Sequence, residues 1–132
     1  LEPLSKFPVV ADLIVDRSII DDELRRAEIY VGKYGGADKK EYEHMYSAAK
    51  CLKCGLCLEV CPNYSGGERF FGALFANDAY LVHGMSADRK REIKKEYNEH
   101  FAKGCSKSLA CRDICPMKIP TLSSILKMNK GR

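Results

Sequence analysis

A chain of 132 residues has room for one modest domain, and its 45% hydrophobic and 30% charged residues exclude a disordered chain. No run approaches eighteen apolar residues, and the stretch LEPLSKFPVV has neither the basic start nor the apolar core of a signal peptide, so membrane insertion and secretion lack support. The formal charge of +4 calls for no nucleic acid, because no basic run is interleaved with stacking aromatics.

In chain order, residues 1–16 read as an extended entry segment, since Pro3 and Pro8 break any helix. Ser18 is placed to cap a helix with Asp21, Asp22 and Glu23 in its first turn, ending near Gly32 to Gly36. A shorter helix is expected from about Lys39 to Ala49. From Glu68 to His83 the positions Phe71, Leu74, Phe75, Ala79 and Val82 recur at three and four residues, as in an amphipathic helix that Gly84 ends. Ser86 offers a cap for a charged helix reaching Ala102, with Ile93, Tyr97 and Phe101 along one side. Thr121 caps a last helix that turns Leu122, Ile125 and Leu126 inward. No alternation of period two is evident, so the fold class is all-α, with two cysteine-bearing loops between helices.

All seven cysteines lie between Cys51 and Cys115. The segment from Cys51 to Pro62 aligns without a gap to that from Cys105 to Pro116, and the single cysteine mismatch sets Ser108 against Cys54. The first segment reads C-x2-C-x2-C-x3-C-P, the spacing with which bacterial-type ferredoxins hold a cubane cluster. Three thiolates turn onto one cluster; the fourth lies about one helical turn further on and serves the other. A structural zinc site on Cys51, Cys54, Cys111 and Cys115 would leave Cys57, Cys61 and Cys105 without a purpose. Disulfides fit poorly with an odd count.

If ligation is crossed, Cys51, Cys54, Cys57 and Cys115 serve one cluster while Cys61, Cys105 and Cys111 serve the other. The natural tenants are a [4Fe-4S] and a [3Fe-4S] cluster. In the rival arrangement Ser108 or a solvent molecule holds a fourth iron, but a hydroxyl is a harder and less frequent ligand than a thiolate. Counting seven thiolates and the charges of the oxidised cores brings the formal +4 to roughly zero.

These residues resemble a known family. The entry phrase Glu2-Pro3-Leu4 to Asp16, the first cysteine motif, the segment from Gly72-Ala73 to Asp88-Arg89, and above all the C-x5-C-x3-C-P from Cys105 to Pro116 look like the C-terminal domain of the iron–sulfur subunit of succinate dehydrogenase and fumarate reductase. The resemblance implies an α-helical ferredoxin domain over residues 17–132, following an entry segment from an N-terminal [2Fe-2S] domain that lies outside this chain. It implies a non-catalytic subunit, peripheral to the cytoplasmic face of the cell membrane or to the matrix side of the mitochondrial inner membrane. Its two clusters would relay electrons between a flavoprotein carrying FAD and a quinone beside a cytochrome b type membrane anchor. Quinone contact through Pro62, Asn63, Tyr64, Ser106 or Lys107 is carried over, although the tryptophan and histidine of many relatives are missing here. A stand-alone ferredoxin-like carrier, or a subunit of heterodisulfide-reductase or glycolate-oxidase type, is the alternative; the latter two normally carry two complete motifs.

Lys50, Lys53, Lys103, Lys107, Arg112 and Lys118 lie within a few residues of the ligands and are candidates for offsetting cluster charge, opposed by Glu59 and Asp113. His44, His83 and His100 are scattered, and only His83 is placed to be considered for proton delivery.

Overall fold

The computed structural model describes residues 2–36, 39–66 and 69–130. The entry segment folds into a small antiparallel hairpin, β1 (Val9–Ala11) against β2 (Ile14–Val15), turning at Asp12 with φ of 53°. Strands of three and two residues are too short to show an alternation, which is why the sequence gives no sign of them. Helix α1 (Ser18–Arg26) is capped from outside. The Ser18 amide donates to the Asp16 carboxylate at 2.9 Å, so Asp16 and not Ser18 satisfies the first turn. The helix stops well before Gly32, and of the three expected first-turn acids only Asp21 lies in that turn.

A 3-10 turn (Lys39–Glu41) leads into α2 (Tyr42–Ala48), and the first cysteine segment contains α3 (Leu56–Val60). Helix α4 (Gly72–Met85) is not amphipathic. It is buried on nearly every side, through Ala73, Leu74, Phe75, Ala76, Asn77, Ala79 and Tyr80, because α3, α5 and α7 all pack on it. It starts later than expected and passes through Gly84; Gly67 and Glu68 lie outside the described residues. Gly72 has φ of +83°, and a Cβ there would collide with Leu58 of α3, so glycine is what lets the central helix begin against the cysteine helix.

Helix α5 (Lys90–Tyr97) runs on into a π-helical turn (Asn98–Ala102), burying Ile93, Tyr97 and Phe101 as the spacing predicts. The Ser86 hydroxyl accepts from the Arg89 amide at 2.9 Å and closes the turn ahead of that helix instead of capping it directly. The second cysteine segment contains α6 (Ala110–Ile114), and the chain closes with α7 (Thr121–Asn129), preceded by Pro120. Thr121, Ser124 and Met128 are the buried residues of α7, whereas Leu126, expected inward, is 61% exposed. Ser124 is inward because it completes a buried polar tie. Its hydroxyl donates to Asn77 Oδ1 at 3.2 Å, and Asn77 Nδ2 donates to the Ala48 carbonyl at 2.9 Å, joining α2, α4 and α7.

Two apolar clusters result. The larger gathers Met45, Phe71, Phe75, Tyr80, Ile93, Tyr97, Phe101 and Met128 around α4. The smaller, Phe7, Val15, Ile20, Leu58, Tyr64 and Leu74, packs directly against Cys51, Cys57 and Cys61.

Candidate metal centres

The two cysteine segments are a repeat in backbone as well as in sequence. Lys53 and Lys107 have φ of 54° and 62°; Gly55 and Leu109, two residues on, have φ of 86° and 65° and introduce helices α3 and α6. The two helices pack on each other. In each segment the lysine amide donates to the sulfur of the leading cysteine at 3.4 Å, Lys53 to Cys51 and Lys107 to Cys105. A left-handed conformation suits Gly55, where a Cβ would press on Phe7 at 3.0 Å, and costs Leu109 roughly 1–2 kcal/mol.

The thiols divide between two cavities. Cys51, Cys54, Cys57 and Cys115 line one, walled by Leu56, Leu74 and Ile119. Cys61, Cys105 and Cys111 line the other, with Ser108 and Leu109 at one side and Phe70, Phe101 and Ile125 behind. Among the described residues no three His, Cys, Asp or Glu side chains converge tightly enough to hold a single ion; the thiols surround spaces instead. Burial pushes the Cys57 thiol up to about 12, aided by its neighbours Cys51, Cys111, Cys54 and Cys115. Burial likewise raises Cys111, with Cys61 and Cys105 adding to it, and raises Cys51. Soft sulfur donors, amide-to-sulfur hydrogen bonds, including Ile119 to Cys115 at 3.4 Å, and apolar walls fit polynuclear iron–sulfur groups.

Ser106, Lys107 and Ser108 are exposed beside the three-cysteine cavity that they line. Pro62 and Asn63 are exposed too, and the Asn63 amide donates to the Gly104 carbonyl, tying the first motif to the start of the second. Tyr64 lies elsewhere: it is 2% exposed, and its hydroxyl donates to Glu23 Oε1 at 2.9 Å. His83 lines a hollow with Glu41, Tyr80, Lys90 and Lys127 that contains no cysteine, and burial drives its pKa down to about 4. Of the flanking cations, Lys53 pairs with Asp78 at 3.5 Å, Lys103 with Glu99 at 3.0 Å and Arg112 with Asp113 at 3.2 Å, while Lys50 stands over the Tyr46 ring. Among the described residues Lys107 and Lys118 have no carboxylate partner.

Sequence reasoning missed the groups that reach the cysteine loops from the entry segment. Arg17 Nε donates to the Cys54 carbonyl at 2.7 Å, and the Lys6 ammonium donates to that of Cys61. It also missed Glu23, which is 2% exposed and whose second oxygen has no hydrogen-bond partner among the described residues. Burial pushes this carboxyl up to about 7 from the ordinary 4.5. The folded chain therefore holds the proton more tightly than the unfolded one; its contribution to stability is complete below pH 4.5 and is lost as pH rises through about 7. Melting temperature measured against pH should thus fall less steeply over that window in Glu23→Gln than in the wild type; parallel profiles would count against the assignment.

The fold and the paired sulfur cavities define a two-cluster iron–sulfur domain. The chain belongs to the 4Fe-4S dicluster domain family, which matches residues 47–119. Over 98% of its length it is 33% identical to the succinate dehydrogenase iron-sulfur subunit of Bacillus subtilis (strain 168), covering 56% of that protein. It is 26% identical to the fumarate reductase iron-sulfur subunit of Wolinella succinogenes, covering 98% of this chain and 60% of the relative. The fold is similar to that of a chain in the Mycobacterium smegmatis Sdh1 complex in the apo form, with a TM-score of 0.71 and 21% identity over 97% of this chain and 58% of that one. The chain spans little more than half the length of the relatives it matches. Among the described residues no helix is long and apolar enough to cross a membrane.

Proposed function

We propose that the chain is the two-cluster part of an electron-transferring iron–sulfur subunit of the succinate dehydrogenase and fumarate reductase type. In this reading Cys51, Cys54, Cys57 and Cys115 hold a [4Fe-4S] cluster, and Cys61, Cys105 and Cys111 hold a [3Fe-4S] cluster. The observation that carries it is the division of the seven thiols into two cavities of four and three, with Ser108 lining the second where the repeat sets Cys54 in the first. When bound, the clusters supply one-electron storage at two neighbouring positions. The protein's part is to hold and shield them. Helices α3 and α6 set the two ligand groups side by side, apolar side chains keep water from the sulfurs, and backbone amides donate to Cys51, Cys105 and Cys115.

In this reading the chain is a relay whose chemistry lies in partner subunits. Those partners are a flavoprotein that handles succinate or fumarate and a membrane anchor, with the chain peripheral at the membrane. Ser106 and Lys107, exposed at the three-cysteine cavity, with Pro62 and Asn63 in the facing motif, are the side offered to a quinone. Tyr64 is left out of that contact because its hydroxyl is committed inward.

Iron and sulfide analysis of the purified protein should return about seven irons and eight sulfides per chain, with a three-iron electron paramagnetic resonance signal in the air-oxidised sample. About eight of each without that signal would mean two cubanes, and zinc without sulfide would end the electron-transfer reading.

A further inference from the structure

The entry segment brings a fixed cation to the cysteine helix. Lys6 is half-buried, and its ammonium donates to the carbonyl oxygens of Leu58, at 3.0 Å, and of Cys61. These carbonyls lie at the end of α3, where each also accepts one backbone amide, Leu58 from Cys61 at 3.3 Å and Cys61 from Tyr64 at 3.4 Å. The same ammonium stands 5.9 Å from the centre of the Tyr64 ring. Its own carboxylate counterpart is on α3 as well: Glu59 accepts from the amides of Ser5 and Lys6, each at 3.0 Å, and from the Ser5 hydroxyl at 2.5 Å. Residues 5 and 6 therefore clamp α3 at two opposite charges, the Lys6 ammonium on the carbonyl of Cys61 and the Glu59 carboxylate two residues before it, which receives the Ser5 and Lys6 amides.

Among the described residues the cations flanking the motifs in sequence are held differently, Lys50 standing over the Tyr46 ring. Lys53, Lys103 and Arg112 are paired with carboxylates, and Lys107 and Lys118 are exposed. Water and salt screen an exposed charge far more than one held in the protein. A cation near a cluster favours the reduced form, which is more negative by one electron, and so raises the reduction potential; a carboxylate does the opposite.

We propose that Lys6, opposed by Glu59, is the positioning residue that sets the reduction potential of the cluster bound through Cys61. The inference rests on the ligand division proposed above. It is tested in the cluster-loaded protein, in the assembly in which it is purified, by redox titration of the three-iron paramagnetic signal. Lys6→Gln should lower the midpoint and Glu59→Gln should raise it, each changing the oxidised-to-reduced ratio at the wild-type midpoint up to tenfold, about 59 mV for a one-electron centre. Lys6→Arg keeps the charge and should titrate near the wild type.

Simple loosening of the clamp would move both glutamine variants in the same direction, and that result overturns the inference, as does a signal that titrates unchanged in both. Should Lys6→Gln fail to assemble its cluster, the upward shift in Glu59→Gln together with the wild-type midpoint of Lys6→Arg still supports the inference, and the lack of either overturns it. A wild-type protein without the three-iron signal would instead overturn the three-iron reading of that cavity, whatever the behaviour of the variants.

Discussion

Replacing Ser108 by cysteine is expected to raise the iron content from about seven to about eight atoms per chain and to abolish the three-iron signal. The expectation follows from the repeat. Ser108 occupies the place of Cys54, each followed by a residue in the left-handed conformation, Leu109 or Gly55, that opens a short helix. Ser108 also lines the same cavity as Cys61, Cys105 and Cys111, so a thiolate there joins the three already present. Sulfur is the softer donor and is ionised by the metal, whereas a serine hydroxyl must lose a far more tightly held proton before it can ligate iron well. Electron paramagnetic resonance of the air-oxidised Ser108→Cys protein decides the matter: persistence of the three-iron signal at wild-type intensity, with the iron count unchanged, would show that something other than the missing thiol keeps the fourth iron out.

What could be read from the sequence was what is local. Cysteine spacing belongs to loops whose geometry is set within a dozen residues, and the gap-free alignment of the two motifs carried over directly into matching backbone angles. That alignment also held an unused signal. It sets Leu109 against Gly55, and a leucine in a glycine's place predicts a strained left-handed residue. Contacts made across the fold were not legible. Arg17 lies 37 residues from Cys54 and Lys6 lies 55 from Cys61, so neither enters a search for cations flanking the ligands. Glu23 was hidden by company, since in the run Asp21-Asp22-Glu23 it looks like one more solvated acid. Helix α4 was misread because period-3.6 reasoning looks for one large apolar face. Ala73 and Ala76 seem neutral in such a count, yet they are buried where neighbouring helices close on the central one.

Removing the clusters by chelation should cost the protein its cooperative unfolding, leaving a broad transition with part of the helical signal retained. Helices α3 and α6 have five residues each, too short to hold together on propagation alone. What fixes them is the smaller apolar cluster, which already counts Cys51, Cys57 and Cys61 among its contacts, and whatever bridges the seven thiols. The larger cluster around α4, α5 and α7 takes only Cys105 from the ligand set, so it supplies the residual helicity. Protons sharpen the dependence. With Cys57 pushed up to about 12 and Cys51 and Cys111 also raised by burial, the metal-free chain carries these thiols protonated near neutrality. Cluster binding must then release those protons, so retention weakens as pH falls, and chelators should strip iron faster at pH 6 than at pH 8. Circular dichroism melts of the loaded and stripped forms, with iron release followed by absorbance at both pH values, test the two halves separately. A stripped form that melts as sharply and as high as the loaded one would mean that the helical framework stands without its metal, and pH-independent release would mean that the thiols are already ionised before iron arrives.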